Sequence, residues 1–224
     1  MIDVVPLAVL FDLDGTLIDT APEFVAIGLQ LRQAAGLPAI APEAIRSSVS
    51  DGAMGMVAAA LDMTTTDATF EGWRQRFLND YEKGLGQHSA PYPGLPKLVS
   101  ALASAGIKWG VVTNKLGRFA HPLMAKMAFD PPADVVITPD DVRHPKPHPE
   151  SLILACKRLN CPPERAVFVG DHRRDIEAGN AAGCATIAAA YGYLADGESA
   201  AAWQANATAN SSIELSQMIE KLLQ

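Results

Sequence analysis

Apolar residues recur along this chain with two different periods. Residues 7–11, Leu-Ala-Val-Leu-Phe, form an unbroken apolar run with the β-branched and aromatic character of a strand buried on both faces, and Gly15 follows where such a strand must leave its sheet. The period then changes. Thr20 can cap a helix with Pro22 in its first turn, and Phe24, Val25, Ile27, Leu29 and Leu31 continue it until Gly36. Further helical patterns run over about 42–61 and 67–84, and no convincing strand pattern appears between 18 and 90. Pro91-Tyr92-Pro93-Gly94 punctuates the return. From there the pattern alternates: helix 95–105, strand 107–113, helix 117–128, strand 134–138, helix 149–160, strand 165–169, helix 173–182, strand 184–189 and a terminal helix from about 212.

Alternating strands and helices predict an α/β fold with a doubly wound parallel sheet, covered by helices on both faces. The all-helical stretch reads as an insertion, which divides the chain into a core of residues 1–17 and 91–224 and a helical cap of residues 18–90. Ala195 to Ser212 is polar and alanine-rich, and predicts a surface loop with a short helix.

Composition narrows the function classes. The chain has 224 residues, 49% of them hydrophobic, which suits one large α/β domain or a core with an insertion. The net charge of −7 leaves no basic stripe to neutralise a nucleic acid backbone, so the expected partner is a small molecule. No apolar stretch approaches the roughly 20 residues that span a bilayer, and Met1-Ile2-Asp3 lacks the basic start of a secretion signal, so a cytoplasmic protein, monomer or homodimer, is expected. Cys156, Cys161 and Cys184 match no metal or redox spacing and read as reduced packing residues.

The first strand ends in Asp12-Leu13-Asp14-Gly15-Thr16. Side chains at i and i+2 point to the same side of a strand, and ligands of open α/β sheets bind at the carboxyl edge, so Asp12 and Asp14 can converge on one site. Two carboxylates this close call for a cation, and hard oxygen donors beside a phosphate suit Mg²⁺. A calcium loop counted from Asp12 would place Glu23 at its last position, but Leu17 stands where that loop needs glycine. Later strands end in comparable chemistry. Thr113-Asn114-Lys115 offers a hydroxyl and fresh N–H groups where a helix begins. Lys146 stands among three prolines, which limit where its ammonium can go. Gly170-Asp171 repeats the strand-glycine-carboxylate pattern, with Asp175 one helical turn on. His144 and His148 flank Lys146 and read as exposed, as does His172. A solvated turn, an ordinary helix cap or a solvated lysine explains each segment alone, but not all four together.

Taken in order, Asp12-Leu-Asp14-Gly-Thr16, Val112-Thr113-Asn114, Lys146-Pro147 and Gly170-Asp171 with Asp175 resemble the four motifs of the haloacid dehalogenase-like hydrolases, over essentially the whole chain. The helical insertion is similar to that family's smaller, first-position cap. The resemblance implies a Mg²⁺-dependent phosphatase. In it Asp12 forms an aspartyl phosphate, and Asp14 protonates the leaving oxygen and then activates water. Mg²⁺ would be held by Asp12, the backbone carbonyl of Asp14 and Asp171, with Asp175 in support. Thr113, Asn114 and Lys146 would grip the phosphoryl oxygens. The family's dehalogenases lack a carboxylate at the position of Asp14, so its presence favours phosphate esters. Within the family the chain is most similar to the phosphoglycolate phosphatase group. Ala21-Pro-Glu-Phe24, Gly110 to Lys115, Leu152 to Lys157 and Tyr191-Gly-Tyr193 resemble N-acetylmuramic acid 6-phosphate phosphatases, which leaves 2-phosphoglycolate and N-acetylmuramic acid 6-phosphate both as substrates. The cap loop with Arg46, Ser50, Asp51 and Gly52 is expected to read the substrate. A phosphomutase using the same aspartates, or a noncatalytic metal and phosphate binding module, are the alternatives.

Overall fold

The computed structural model describes residues 5–194 and 197–223. The Met1-Ile2-Asp3 start and Ala195, at the head of the alanine-rich stretch, lie outside the described residues. The chain opens with β1 (Ala8–Phe11), and a short strand β2 (Ile18–Asp19) leads into helices α1 (Ala21–Ala34), α2 (Glu43–Arg46), α3 (Gly52–Leu61) and α4 (Phe70–Gly84). A second short strand, β3 (Ala90–Pro91), pairs antiparallel with β2, so the chain leaves and re-enters the core through adjacent extended segments. Then follow α5 (Leu95–Ser104), β4 (Lys108–Val112), α6 (Gly117–Met127), β5 (Val135–Ile137), α7 (Glu150–Leu159), β6 (Ala166–Gly170), α8 (Arg173–Ala182), β7 (Ala185–Ala189), β8 (Ala207–Ala209) and α9 (Ser212–Lys221).

The six-stranded sheet is parallel, in the order β5-β4-β1-β6-β7-β8. β1 lies between β4 and β6, where the winding reverses direction. That reversal opens a crevice at the carboxyl edge, directly beyond Phe11. Val9, Phe11, Val111 and Val169 pack on one face of the sheet with Leu98, Leu102 and Leu215. Leu10, Val112 and Phe168 pack on the other with Leu152 and Cys156. The alternation of faces along a fully apolar strand explains why every residue of β1 is buried. Cys156, Cys161 and Cys184 are free and buried, as packing residues are.

Helices α1 to α4 share a separate core of Phe24, Ile27, Leu31, Val57, Phe77 and Tyr81, to which Phe119 and Tyr193 of the sheet region also belong. Buried Glu23 ties this group to the returning chain, accepting from Gly86 N (2.9 Å), Gln87 N (3.1 Å) and Ser89 Oγ (2.7 Å). The same contacts show that Glu23 closes no calcium loop. Among the described residues no helix is long and apolar enough to cross a membrane.

Three differences from the sequence reading have physical causes. The expected helix over 42–61 is interrupted by a 3₁₀ turn at Val49–Asp51. Gly52 takes φ +66 there, outside the range of a right-handed helix, so the helix cannot run straight through. β2 and β3 are two residues each, too short to show periodicity. β8 lies in the stretch expected as a loop, because an edge strand reading Ala-Thr-Ala carries little β-branched signal.

Candidate active site

Four strand ends deliver the polar groups. At the end of β1 the Asp12 amide donates to Val169 O (2.8 Å), continuing the ladder one residue past the strand and fixing where the carboxylate emerges. Gly15 then turns at φ +81, and a Cβ there would lie 2.1 Å from Asp171 Oδ2. Only glycine lets the first loop pass this close to Asp171. Gly192 serves the same end from the other side, since its Cβ would fall 2.2 Å from that of Asp171.

Asp171, at the end of β6, is almost fully buried; it accepts from Thr16 Oγ1 (2.9 Å) and Tyr193 N (2.9 Å). Asp175 lies in the first turn of α8, where its carboxylate accepts from His172 N (3.0 Å). His172 returns the bond: its ring accepts from Arg174 N (3.1 Å), so the side chain expected in solvent is a half-buried helix cap. Burial and the neighbouring Arg174 hold its pKa down.

Asp12, Asp171 and Asp175 offer carboxylate oxygens that all lie within 4.8 Å of one another, and all three residues are buried. Burial, then the charges of its two neighbours, pushes the Asp171 carboxyl up to about 8. Burial also lifts Asp175, to about 6; Lys146 holds it from going higher. A cluster that takes up protons at neutral pH is short of positive charge, and three hard oxygen donors fit a divalent cation such as Mg²⁺.

Lys146 is the cation that the chain itself supplies here. Its ammonium, on a side chain only 1% exposed, lies 2.9 Å from Asp12 Oδ1 and 2.7 Å from Asp175 Oδ1, and donates to Val112 O (2.8 Å). Burial alone would lower its pKa, but the two carboxylates more than reverse this and raise it. Asn114 fixes the loop that presents it, donating to Lys146 O (2.8 Å) and accepting from Lys146 N (3.1 Å). Thr113, at the end of β4, is buried and lines the crevice.

Asp14 lines the same crevice with its own set of donors. It accepts from Thr20 Oγ1 (2.7 Å) and, at both oxygens, from Lys115 Nζ (2.9 and 3.2 Å). Beyond it opens a cavity of about 340 Å³, lined by Asp12, Asp14 and Lys115 on the sheet side and by Phe24, Met56 and Phe77 on the helical side.

Ser50, Asp51 and Gly52 line this cavity. Ser50 Oγ donates to Tyr193 O (2.9 Å), and its carbonyl accepts from Arg174 Nη2 (2.8 Å). No atom crowds the missing Cβ of Gly52, so the residue serves its positive φ rather than a close approach. Arg46 is placed elsewhere: its guanidinium covers the Tyr193 ring at 5.3 Å, 3.7 Å from Asp19. His144 and His148 are exposed beside Glu150.

Sequence reasoning gave no role to Lys115, Arg174 or Tyr193. The Tyr193 hydroxyl accepts from Thr20 N (2.7 Å) and Ala21 N (2.9 Å) and donates to Asp19 Oδ1 (2.7 Å), so one side chain holds the strand leading into α1. Its position after Gly192 was the available signal, because a glycine required beside Asp171 fixes where the next side chain points.

Comparison with known proteins follows this geometry. The family model for haloacid dehalogenase-like hydrolases matches residues 9–189. The N-acetylmuramic acid 6-phosphate phosphatase of Pseudomonas aeruginosa is 44% identical over 216 residues, 96% of each chain. The phosphoglycolate phosphatase of Xanthomonas campestris pv. campestris is 36% identical over 204 residues, 90% of each chain. Among solved structures, a predicted phosphoglycolate phosphatase from Haemophilus somnus has a TM-score of 0.84 over 96% of this chain and 99% of its own, at 24% identity, which is a likeness of fold.

Proposed function

The chain belongs to the haloacid dehalogenase-like hydrolases and is a phosphoric monoester hydrolase, and from that premise we propose that it cleaves a carboxylate-bearing sugar phosphate, N-acetylmuramic acid 6-phosphate, through an aspartyl phosphate on Asp12. The observation that carries the mechanism is the division of carboxylates. Asp12 belongs to the buried trio and pairs with Lys146, whereas Asp14 takes its donors from Thr20 and Lys115, and both line the cavity.

In the first step a carboxylate oxygen of Asp12 forms a bond to phosphorus as the ester P–O bond breaks, and Asp14 gives its proton to the departing alkoxide. In the second, Asp14 takes a proton from water as the water oxygen bonds to phosphorus, and the Asp12 carboxylate and inorganic phosphate are released. Splitting the displacement in this way makes each barrier smaller. Lys146 steers Asp12 and places its positive charge beside the phosphoryl group, with Thr113 and the Asn114 backbone as hydrogen-bond donors. Asp12, Asp171 and the backbone carbonyl of Asp14, supported by Asp175, would hold Mg²⁺, which when bound neutralises phosphoryl charge as it shifts. Residues 18–90 act as the cap, with Ser50, Asp51 and Gly52 at its reading edge.

Two observations support the larger substrate over 2-phosphoglycolate. The cavity, about 340 Å³, suits a sugar phosphate and would leave a two-carbon acid loosely held. Its wall of Phe24, Met56 and Phe77 offers apolar contact for acyl and lactyl methyl groups, while Arg174, whose Nε has no partner among the described residues, lines it as a partner for a carboxylate. The test is phosphate release with Mg²⁺ from N-acetylmuramic acid 6-phosphate, 2-phosphoglycolate and glucose 6-phosphate, with Asp12→Asn as the blank. Fastest release from the first is expected. Equal or faster release from 2-phosphoglycolate overturns the substrate, and release that survives in Asp12→Asn overturns the mechanism.

A further inference from the structure

Lys115 is a buried cation with no role in the mechanism above. Its side chain is 7% exposed, and the carboxylate it pairs with is Asp14. The same ammonium stands 4.8 Å from the ring centre of Phe24 and 4.6 Å from that of Tyr81. Those rings belong to α1 and α4, while Lys115 follows β4 of the sheet. They are locked in turn, Phe24 against Tyr81 at 4.6 Å and Tyr81 against Phe119 at 5.3 Å.

We propose that Lys115 is a positioning residue which fixes the acid–base carboxylate of Asp14 only while the helical cap is seated. An ammonium withdrawn from water needs other partners. Here Asp14 supplies two oxygens and the cap supplies two aromatic faces, whose quadrupoles attract a cation in place of lost hydration. Withdrawing α1 and α4 removes those faces and admits water, and the long flexible side chain is then free to leave Asp14. The second donor to Asp14, Thr20 Oγ1, sits at the start of α1 and moves with the same element. Both contacts that orient Asp14 thus depend on where the cap lies, whereas Asp12 is held by Lys146 and the sheet. The nucleophile is set by the core, and the proton donor by closure.

The proposal rests on the reading of Asp14 as general acid, so its test separates esters by their need for a proton. An alkyl phosphate releases an alkoxide that must be protonated, and p-nitrophenyl phosphate releases a stable phenolate that need not be. Lys115→Met keeps the apolar stem between the rings and deletes the charge. With the first turnover followed, so that departure of the leaving group is read and not the later attack of water, its rate on N-acetylmuramic acid 6-phosphate and on glucose 6-phosphate is expected to fall on the order of 10- to 100-fold, a fraction of what general acid catalysis contributes. Its first-turnover rate on p-nitrophenyl phosphate should stay within about threefold of the unsubstituted enzyme. Tyr81→Leu, which opens the cage without touching Asp14, should show the same selectivity at smaller size, and carries the comparison if Lys115→Met does not fold. Equal loss on both ester types, or a rise in KM alone, overturns the proposal. Asp14→Asn run in parallel distinguishes the two failures. If it too loses first-turnover rate equally on both, the general-acid reading of Asp14 falls; if it is selective and the Lys115 and Tyr81 variants are not, only the role of Lys115 falls.

Discussion

Replacing Lys146 by Met tests the electrostatics of the buried trio directly. The ammonium is 2.9 Å from Asp12 and 2.7 Å from Asp175, and the three carboxylates lie within 4.8 Å of one another. Two unit charges about 4 Å apart interact by roughly 4 kcal/mol at an effective dielectric near 20, so each contact is substantial before desolvation is subtracted. Removing one partner of a buried pair costs about 3–5 kcal/mol, because the remaining charge is left without compensation. In EDTA at pH 8 the Met variant is therefore expected to lose about that much stability to urea. The pH dependence is the sharper part. A carboxyl whose folded pKa lies above its unfolded value holds more protons when folded, so stability falls as pH rises between the two values. Asp171, at about 8, and Asp175, at about 6, already behave this way with Lys146 present. Without it Asp175, which Lys146 holds down, moves further up, and the loss should shrink to about 1–2 kcal/mol at pH 5.5, where a proton replaces the missing ammonium. Urea midpoints at pH 5.5 and pH 8 measure this. A loss of the same size at both pH values would refute the reasoning, and so would no loss at pH 8.

Mg²⁺ binding should release protons. At pH 7 the Asp171 carboxyl, at about 8, is mostly protonated and must ionise to bind, so calorimetry in two buffers of different ionisation enthalpy should find about one proton released at pH 7 and few at pH 9. Gly192→Ala should weaken Mg²⁺ binding at least tenfold while the protein stays folded, because the new Cβ would meet Asp171 at 2.2 Å and force the ligand aside. Phe77→Ala should cost about 3–5 kcal/mol by thermal or urea unfolding, since Phe77 is buried in the core shared by α1 to α4, against Phe24. Asp12→Asn should abolish both phosphate release and the acid-stable labelling of the protein by substrate phosphate.

What the chain revealed in advance depended on how locally each feature is encoded. The end of β1 was legible because an apolar strand, two carboxylates and a glycine stand in eight consecutive residues, and the sheet then brings Asp12, Lys146, Asp171 and Asp175 together at one edge. Lys115 was passed over because its meaning lies in Phe24 and Tyr81, on helices far away in sequence, and no spacing rule links them. Arg46 was singled out for charge beside a glycine-containing loop. Charge on a loop does not fix direction, and Asp19 with the Tyr193 ring takes it instead. His172 read as solvent-facing because histidine is an uncommon helix cap. Its ring nitrogen nevertheless accepts the Arg174 amide as a serine would.

The two lysines explain why four carboxylates can be gathered at one sheet edge without all behaving alike. Asp12 and Asp175 share Lys146 on the core side, Asp171 has no lysine and depends on Thr16, Tyr193 N and a proton, and Asp14 has Lys115 on the cavity side. Of the four, Asp171 is the one whose charge is least compensated by the chain, and it is also the one crowded on both sides by obligatory glycines, Gly15 and Gly192. A site built for a protonated carboxyl would have no need of that crowding. It fits the proposed role of an ionised carboxyl held still for a cation, and Tyr193 connects Asp171 to the entry of α1, its amide donating to Asp171 and its hydroxyl accepting from Thr20 and Ala21. Displacing the entry to α1 therefore strains the same residue that holds Asp171, so cap position and metal affinity should be coupled. Tyr193→Phe, which keeps the amide contact and removes the hydroxyl, should loosen that coupling while leaving the fold of the sheet intact.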